Sequence, residues 1–227
     1  PGNMNIATKL ISRPKQLAKA ANRAIYIDFE GLGKPEGADK APDPSLLGVV
    51  ASGHYTAFIH DEDMHHAARG RARNRFGLAC AARRFGLEAA LLGTVVQAEV
   101  QDRYIVHYSC HEKEMIAQAL GDDHPLYERF LQRQLDAKDV LKKASGRGLI
   151  ERPKTHSLVD YASILEPGYV PHRLSEKAAS KIRTVKGQPK ADRAQKHLAE
   201  LLDYNREDCL LMRRCLLEAA RLIRGRG

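Results

Sequence analysis

Residues 24–30 read Ala-Ile-Tyr-Ile-Asp-Phe-Glu. Ile25, Ile27 and Phe29 alternate with Tyr26, Asp28 and Glu30, so the stretch is predicted as a strand with one apolar face and one face carrying two carboxylates at i and i+2. Gly31-Leu32-Gly33 ends it, and 34–44, with three prolines, reads as a surface loop. Two more strands are expected over 46–52 and 54–60, turned at Gly53, which makes an antiparallel meander. Downstream, 64–101 reads as helical, 104–108 as a strand buried on both faces, and helices are expected from near 111 and over 125–143. Residues 158–161 read as a last short strand or an extended entry to a helix. Ser175 caps a helix ending near 185, and the strongest helical pattern runs over 192–223. Strands followed by alternating helix and strand indicate an α/β fold, a mixed sheet covered by helices.

The chain has 227 residues, enough for one large domain. Residues 1–22 are expected to form a basic N-terminal extension and 23–227 the folded domain. Beginning at Pro1 and not at methionine, the chain is expected to be a processed product or a piece of a longer one. Lys and Arg number 37 against 28 Asp and Glu, a net charge of +9, which fits a polyanionic partner. No apolar run approaches the roughly 18 residues of a membrane span, and no secretory h-region is present. Cys80, Cys110, Cys209 and Cys215 lack C-x-x-C spacing, so they read as reduced thiols in a cytoplasmic protein.

Asp28 and Glu30 project side by side and repel each other unless a cation lies between them; oxygen-only donors of this kind suit Mg²⁺ or Mn²⁺. Asp208 falls on the apolar stripe of the last helix, formed by Ala194, Leu198, Leu201, Met212, Cys215, Ala219 and Leu222. A carboxylate there needs a partner, either a metal ion or an arginine such as Arg206 or Arg213. Tyr204, one turn earlier, can point to the same place. Glu112 ends Ser109-Cys-His-Glu112, a capping-box pattern, and so reads either as a cap or as a further acid of the site. Lys177, Lys181, Arg183, Lys186, Lys190, Arg193 and Lys196 form one basic track, and Arg69, Arg71, Arg73, Arg75, Arg83 and Arg84 another. Each reads as a phosphate contact or as a solvated face.

Tyr26-Ile-Asp-Phe-Glu-Gly31 resembles the first motif of the ribonuclease H-like exonuclease superfamily, and Leu202-Asp-Tyr-Asn-Arg-Glu-Asp-Cys209 its third, in the form that carries a tyrosine. Ile105-Val-His-Tyr-Ser-Cys-His-Glu112 resembles the second motif of the YprB-like branch found with RecB-type nucleases, with His111 where that branch has an aromatic residue. The resemblance implies a ribonuclease H-like mixed sheet, meander plus parallel strands, flanked by helices. It implies a 3′–5′ exonuclease acting on DNA in preference to RNA, as in DNA repair, by two-metal-ion catalysis with Mg²⁺ or Mn²⁺. The implied catalytic residues are Asp28, Glu30, Glu112, Tyr204 and Asp208. Asp28, Glu30 and Asp208 would be metal ligands, converging within one coordination sphere, with Asp160 as a further acid. Lys181, Arg183, Lys186, Lys190 and Arg193 are the expected nucleic-acid contacts, and a helicase or second nuclease domain the expected companion. The alternative is a catalytically inactive module of the same fold that only binds nucleic acid.

Overall fold

The computed structural model describes residues 6–32, 37, 42–68, 80–84, 86–171 and 178–225. Two helices come first, α1 (Ile6–Ile11) and α2 (Pro14–Arg23), followed by the meander β1 (Ile25–Glu30), β2 (Leu46–Ala51) and β3 (His54–Ile59). Next come α3 (Glu62–Ala67), β4 (Cys80–Arg84), α4 (Leu87–Val100), β5 (Ile105–His107), α5 (Cys110–Leu120), α6 (Pro125–Arg133), β6 (Gln134–Asp136), α7 (Ala137–Gly146), α8 (Leu158–Leu165), α9 (Ala178–Gly187) and α10 (Asp192–Gly225). The six strands form one mixed sheet in the order β4-β3-β2-β1-β5-β6. β1, β2 and β3 pair antiparallel, whereas β4, β5 and β6 join in parallel. Ser52 and Gly53, both at positive φ, make the two-residue turn between β2 and β3.

The alternation in β1 divides the core. Ile25, Ile27 and Phe29 join Leu47, Val49 and Ile105 under α4, α5 and α6. Tyr26, Leu46, Val50 and Val106 face the other way, against the buried stripe of α10 and the helices around it. This second layer includes the N-terminal helices. Leu10, Ile11, Leu17 and Ala21 are buried there, and the Tyr26 hydroxyl donates to the Ala21 carbonyl at 2.6 Å. The expected basic extension is thus, over its described part, built into the domain, because its apolar residues recur at helical spacing and find the open face of the sheet.

Three expectations about elements are corrected. Residues 80–84 form an edge strand paired to β3, although their composition carries no strand signal. The helix expected over 125–143 is broken by β6: Leu135 is buried in the sheet, and the Asp136 side chain accepts from the Asp139 N–H at 3.0 Å to start α7 afresh. Residues 158–161 are helical, because Ser157 caps α8 by accepting from the Asp160 N–H at 3.1 Å. Ser175 lies outside the described residues.

Candidate active site

The register sets Asp28 of β1 opposite Gly48 of β2, and Gly48 opposite Ala57 of β3. Two small residues in line leave a trough across the sheet on the α10 side. Asn205, fully buried on α10, lies in it. Its Nδ2 donates to the Asp28 carbonyl at 3.1 Å and to Asp28 Oδ2 at 2.8 Å, and its Oδ1 accepts from the Tyr55 hydroxyl at 2.8 Å. A Cβ at Gly48 would lie 1.5 Å from Asn205 Oδ1, so glycine is required there. Sequence reasoning assigned no role to Asn205, Gly48 or Tyr55. Asn205 does sit at helical spacing between Leu201 and Cys209, which is the one signal that could have marked it.

Around this clamp four acids are gathered from three elements. Glu30 is buried at the end of β1, Glu112 is buried in the first turn of α5, and Asp28 and Asp208 keep some accessible surface. Burial raises the Asp28 carboxyl well above its ordinary range, and Glu30, Asp208 and Glu112 push it further. Burial and the Asp208 charge drive Glu30 up to about 8, against the opposing influence of the Asn205 amide. Burial raises Asp208 to about 6, with the Tyr204 hydroxyl hydrogen-bonded to it acting in the opposite sense. Arg206 and Arg213, the arginines that could have neutralised Asp208, are engaged elsewhere. Arg206 meets Glu207 at 3.2 Å and Asp203 at 3.5 Å, while Arg213 donates to Asn22 at 3.0 Å.

Glu112 behaves differently. It closes the capping box, accepting from the Ser109 N–H at 3.1 Å, while Ser109 Oγ accepts from the His111 N–H at 3.2 Å. Burial works to raise its pKa, but the proximity of His107, with the backbone N–H groups of the capping box, outweighs this and holds it below the usual range. His107 is fully buried, with Nδ1 2.6 Å from the Ser109 carbonyl, Nε2 2.9 Å from Gln134 Oε1, and Glu112 Oε2 3.8 Å from Nδ1. Both ring nitrogens face oxygen acceptors, an arrangement suited to imidazolium. Glu112 is therefore both a cap and an ionised member of the acidic group.

The group is close enough for each acid to oppose ionisation of its neighbours, yet among the described residues no three acidic, histidine or cysteine side chains close on a single point. The expected convergence within one coordination sphere is not reached. Asp28 is turned to Asn205 and Glu112 to Ser109 by their hydrogen bonds. Asp160 is not brought into the group. It sits in the first turn of α8, where the Thr155 hydroxyl donates to it and holds its carboxyl below the ordinary range.

The expected nucleic-acid contacts divide in two. Lys181 of α9 is ion-paired with Glu200 and lies 3.1 Å from His197 Nδ1, and Lys186 pairs with Asp61 at 2.8 Å. These two fasten α9 to α10 and to the start of α3. Arg183, Lys190 and Arg193 are exposed. Lys177, Arg69, Arg71, Arg73 and Arg75 lie outside the described residues, and of Arg83 and Arg84 only the backbone in β4 is described.

An acid whose folded pKa is raised stabilises the fold below its unfolded pKa and loses that contribution as pH rises through the folded value. With Glu30 going from 4.5 to about 8 and Asp208 from 3.8 to about 6, stability of the metal-free protein is expected to fall by about 2–4 kcal/mol between pH 5 and 8. Urea unfolding across that range in EDTA measures it, and a flat profile would show that the acids are not under strain.

Compared with protein-family models, curated proteins and solved structures, the chain shows no match. An α/β domain with a mixed sheet flanked by helices, carrying a buried acidic group at β1, α5 and α10, is the class that fold and site define. Among the described residues no helix is long and apolar enough to cross a membrane.

Proposed function

We propose that this chain is a ribonuclease H-like, divalent-metal-dependent nuclease of the cytoplasm that hydrolyses phosphodiester bonds, acting as a 3′–5′ exonuclease on DNA in preference to RNA. The observation that carries this reading is the assembly of Asp28, Glu30 and Asp208 from distant parts of the chain, beside the ionised Glu112, into one group in which burial and repulsion oppose ionisation of the first three. Such a group is costly unless a cation relieves it, and clusters of perturbed acids concentrate at functional sites. The meander continued by parallel strands on the far side of β1 agrees with the sheet that the resemblance implies.

The donors are carboxylate oxygens, which fit hard cations, so Asp28, Glu30 and Asp208 would hold Mg²⁺ or Mn²⁺. When bound, two such ions supply an activated water and stabilise the leaving 3′ oxygen. The protein's own residues prepare the place. Asn205 fixes Asp28 through backbone and side chain, with its own carbonyl fixed by Tyr55. Tyr204 keeps its proton, since burial and the neighbouring acids raise its pKa far beyond neutrality, and donates it in a hydrogen bond to Asp208, which leaves its oxygen as an acceptor that can orient a water. Glu112, kept ionised by His107, adds negative charge without needing a proton removed.

End-labelled single- and double-stranded DNA and RNA incubated with the purified chain in Mg²⁺, Mn²⁺ or EDTA test the proposal. Stepwise shortening from the 3′ end of DNA, abolished by EDTA, is expected. Tyr204→Phe should slow it about 10- to 100-fold with binding unchanged. Oligonucleotide binding without cleavage would favour the inactive binding module. Cleavage surviving both Asp28→Ala and Asp208→Ala would place the chemistry elsewhere.

A further inference from the structure

Beside the acidic group lies a basic surface in neither of the tracks visible in the sequence. Tyr108 stands two residues past the Tyr26–Val106 pair, level with Asp28 on β1, and packs on the same core layer as Tyr26 and Val106. Its carbonyl accepts from the Lys138 N–H at 3.2 Å, and the Lys138 ammonium lies 5.9 Å from the centre of its ring. Its hydroxyl donates to the His156 carbonyl at 2.8 Å, pinning the segment that carries Arg152 and Lys154. Lys142 follows Lys138 by one helical turn, and Lys142, Arg152 and Lys154 are exposed.

Two features separate this surface from an ordinary solvated face. Among the described residues none of Lys138, Lys142, Arg152 and Lys154 is engaged in an ion pair, whereas the neighbouring Lys143 is paired with Asp139 at 2.5 Å. Asp160, which feels Lys154, is taken by Thr155 and Ser157. Three of the four also share one neighbour. His156, with Nδ1 2.8 Å from the Tyr161 hydroxyl, is held below the usual imidazole range first by burial and then by Lys142, Arg152 and Lys138 together.

We propose that Lys138, Lys142, Arg152 and Lys154 form the ridge that holds the phosphate backbone of a nucleic-acid strand, with Tyr108 joining the ridge to the acidic group. The inference rests on the nuclease reading and names the surface that serves the same site. Uncommitted cations gain by exchanging counterions for phosphates, whereas Lys181 and Lys186 would first have to give up Glu200 and Asp61.

The test is fluorescence anisotropy with a short labelled single-stranded DNA in EDTA over a series of NaCl concentrations. The variants are Lys142→Glu/Arg152→Glu/Lys154→Glu and, for comparison, Arg13→Glu/Lys15→Glu/Lys19→Glu at the N-terminal helices, all at exposed positions. Circular dichroism checks that both fold. The ridge variant is expected to bind at least about tenfold more weakly, with the slope of log Kd against log salt reduced by about 2. The comparison variant should stay close to the parent. Cleavage by the parent combined with unchanged binding by the ridge variant overturns the ridge alone. Failure of the parent to bind DNA overturns both the ridge and the nuclease reading. Binding that is lost with the ridge in a protein that never cleaves upholds the ridge and removes the nuclease.

Discussion

Replacing Asp28 or Asp208 with asparagine is expected to have opposite effects on activity and stability. Cleavage should fall about a thousandfold or more, since the substitution removes a metal-binding oxygen charge, and that factor corresponds to only about 4 kcal/mol of transition-state stabilisation. Stability of the metal-free protein at pH 8 should rise by about 1–3 kcal/mol, because a neutral amide neither repels Glu30 and Glu112 nor carries a charge into the core. The amide introduced by Asp28→Asn would still offer Asn205 a carbonyl acceptor, so the clamp need not break. At pH 5, where the raised acids are already protonated in the fold, the gain should shrink. Divalent metal ions should reverse the comparison: an ion at a hundred times its Kd adds about 2.7 kcal/mol to a protein that binds it, and the asparagine variants should forfeit most of that. Urea unfolding at the two pH values, with EDTA or Mg²⁺, reads all four conditions. A variant destabilised equally at both pH values, and equally responsive to Mg²⁺, would show that the acidic group is neither strained nor a metal site.

The second large effect is expected from the smallest substitution. Gly48→Ala places a methyl group 1.5 Å from Asn205 Oδ1, 2.6 Å from Asn205 Cγ and 3.0 Å from Tyr55 Cε2. Asn205 cannot turn away without losing its hydrogen bonds to Asp28 and from Tyr55, all inside the core. Overpacking and unsatisfied polar groups together should cost about 3–5 kcal/mol, and activity should fall with them because Asp28 loses its anchor. Gly93→Ala supplies the control. That glycine lies in the middle of α4 with open space around its Cβ, so alanine should be neutral or stabilising by up to about 1 kcal/mol. Adding Asn205→Ala to Gly48→Ala removes the collision, so the double variant should be less destabilised than the two single effects added together. Strict additivity in urea unfolding would mean that the side chain at 205 is not what excludes a methyl group at 48.

How much was legible follows the range of the forces involved. The period of two over 25–30 and the three- and four-residue spacing over 192–223 are local, and β1 and α10 lie where those patterns put them. The meander is also as expected, because Ser52-Gly53 offers the positive φ that a tight hairpin requires. Gln134-Leu135-Asp136 was hidden inside a helical pattern; pairing with β5 and the cap at Asp136 outweighed local propensity. Cys80–Arg84 is a strand because the β3 edge offers it partners, which no feature of those five residues announces.

The same division runs through the site. By itself the sequence determined which acids were available, that Asp28 and Glu30 share a face of one strand, and that Asp208 lies along the last helix, because side-chain direction along a strand or helix follows from backbone geometry. Only the tertiary structure decided which charges are cancelled. Lys181 and Lys186 are held by Glu200 and Asp61, Glu112 is held ionised by His107, and Arg206 and Arg213 are drawn away from Asp208. Lys138, Lys142, Arg152 and Lys154 remain without ion pairs among the described residues. Neutralisation depends on distances of a few ångströms between residues far apart in the chain, and those distances exist only once the sheet and its helices have packed.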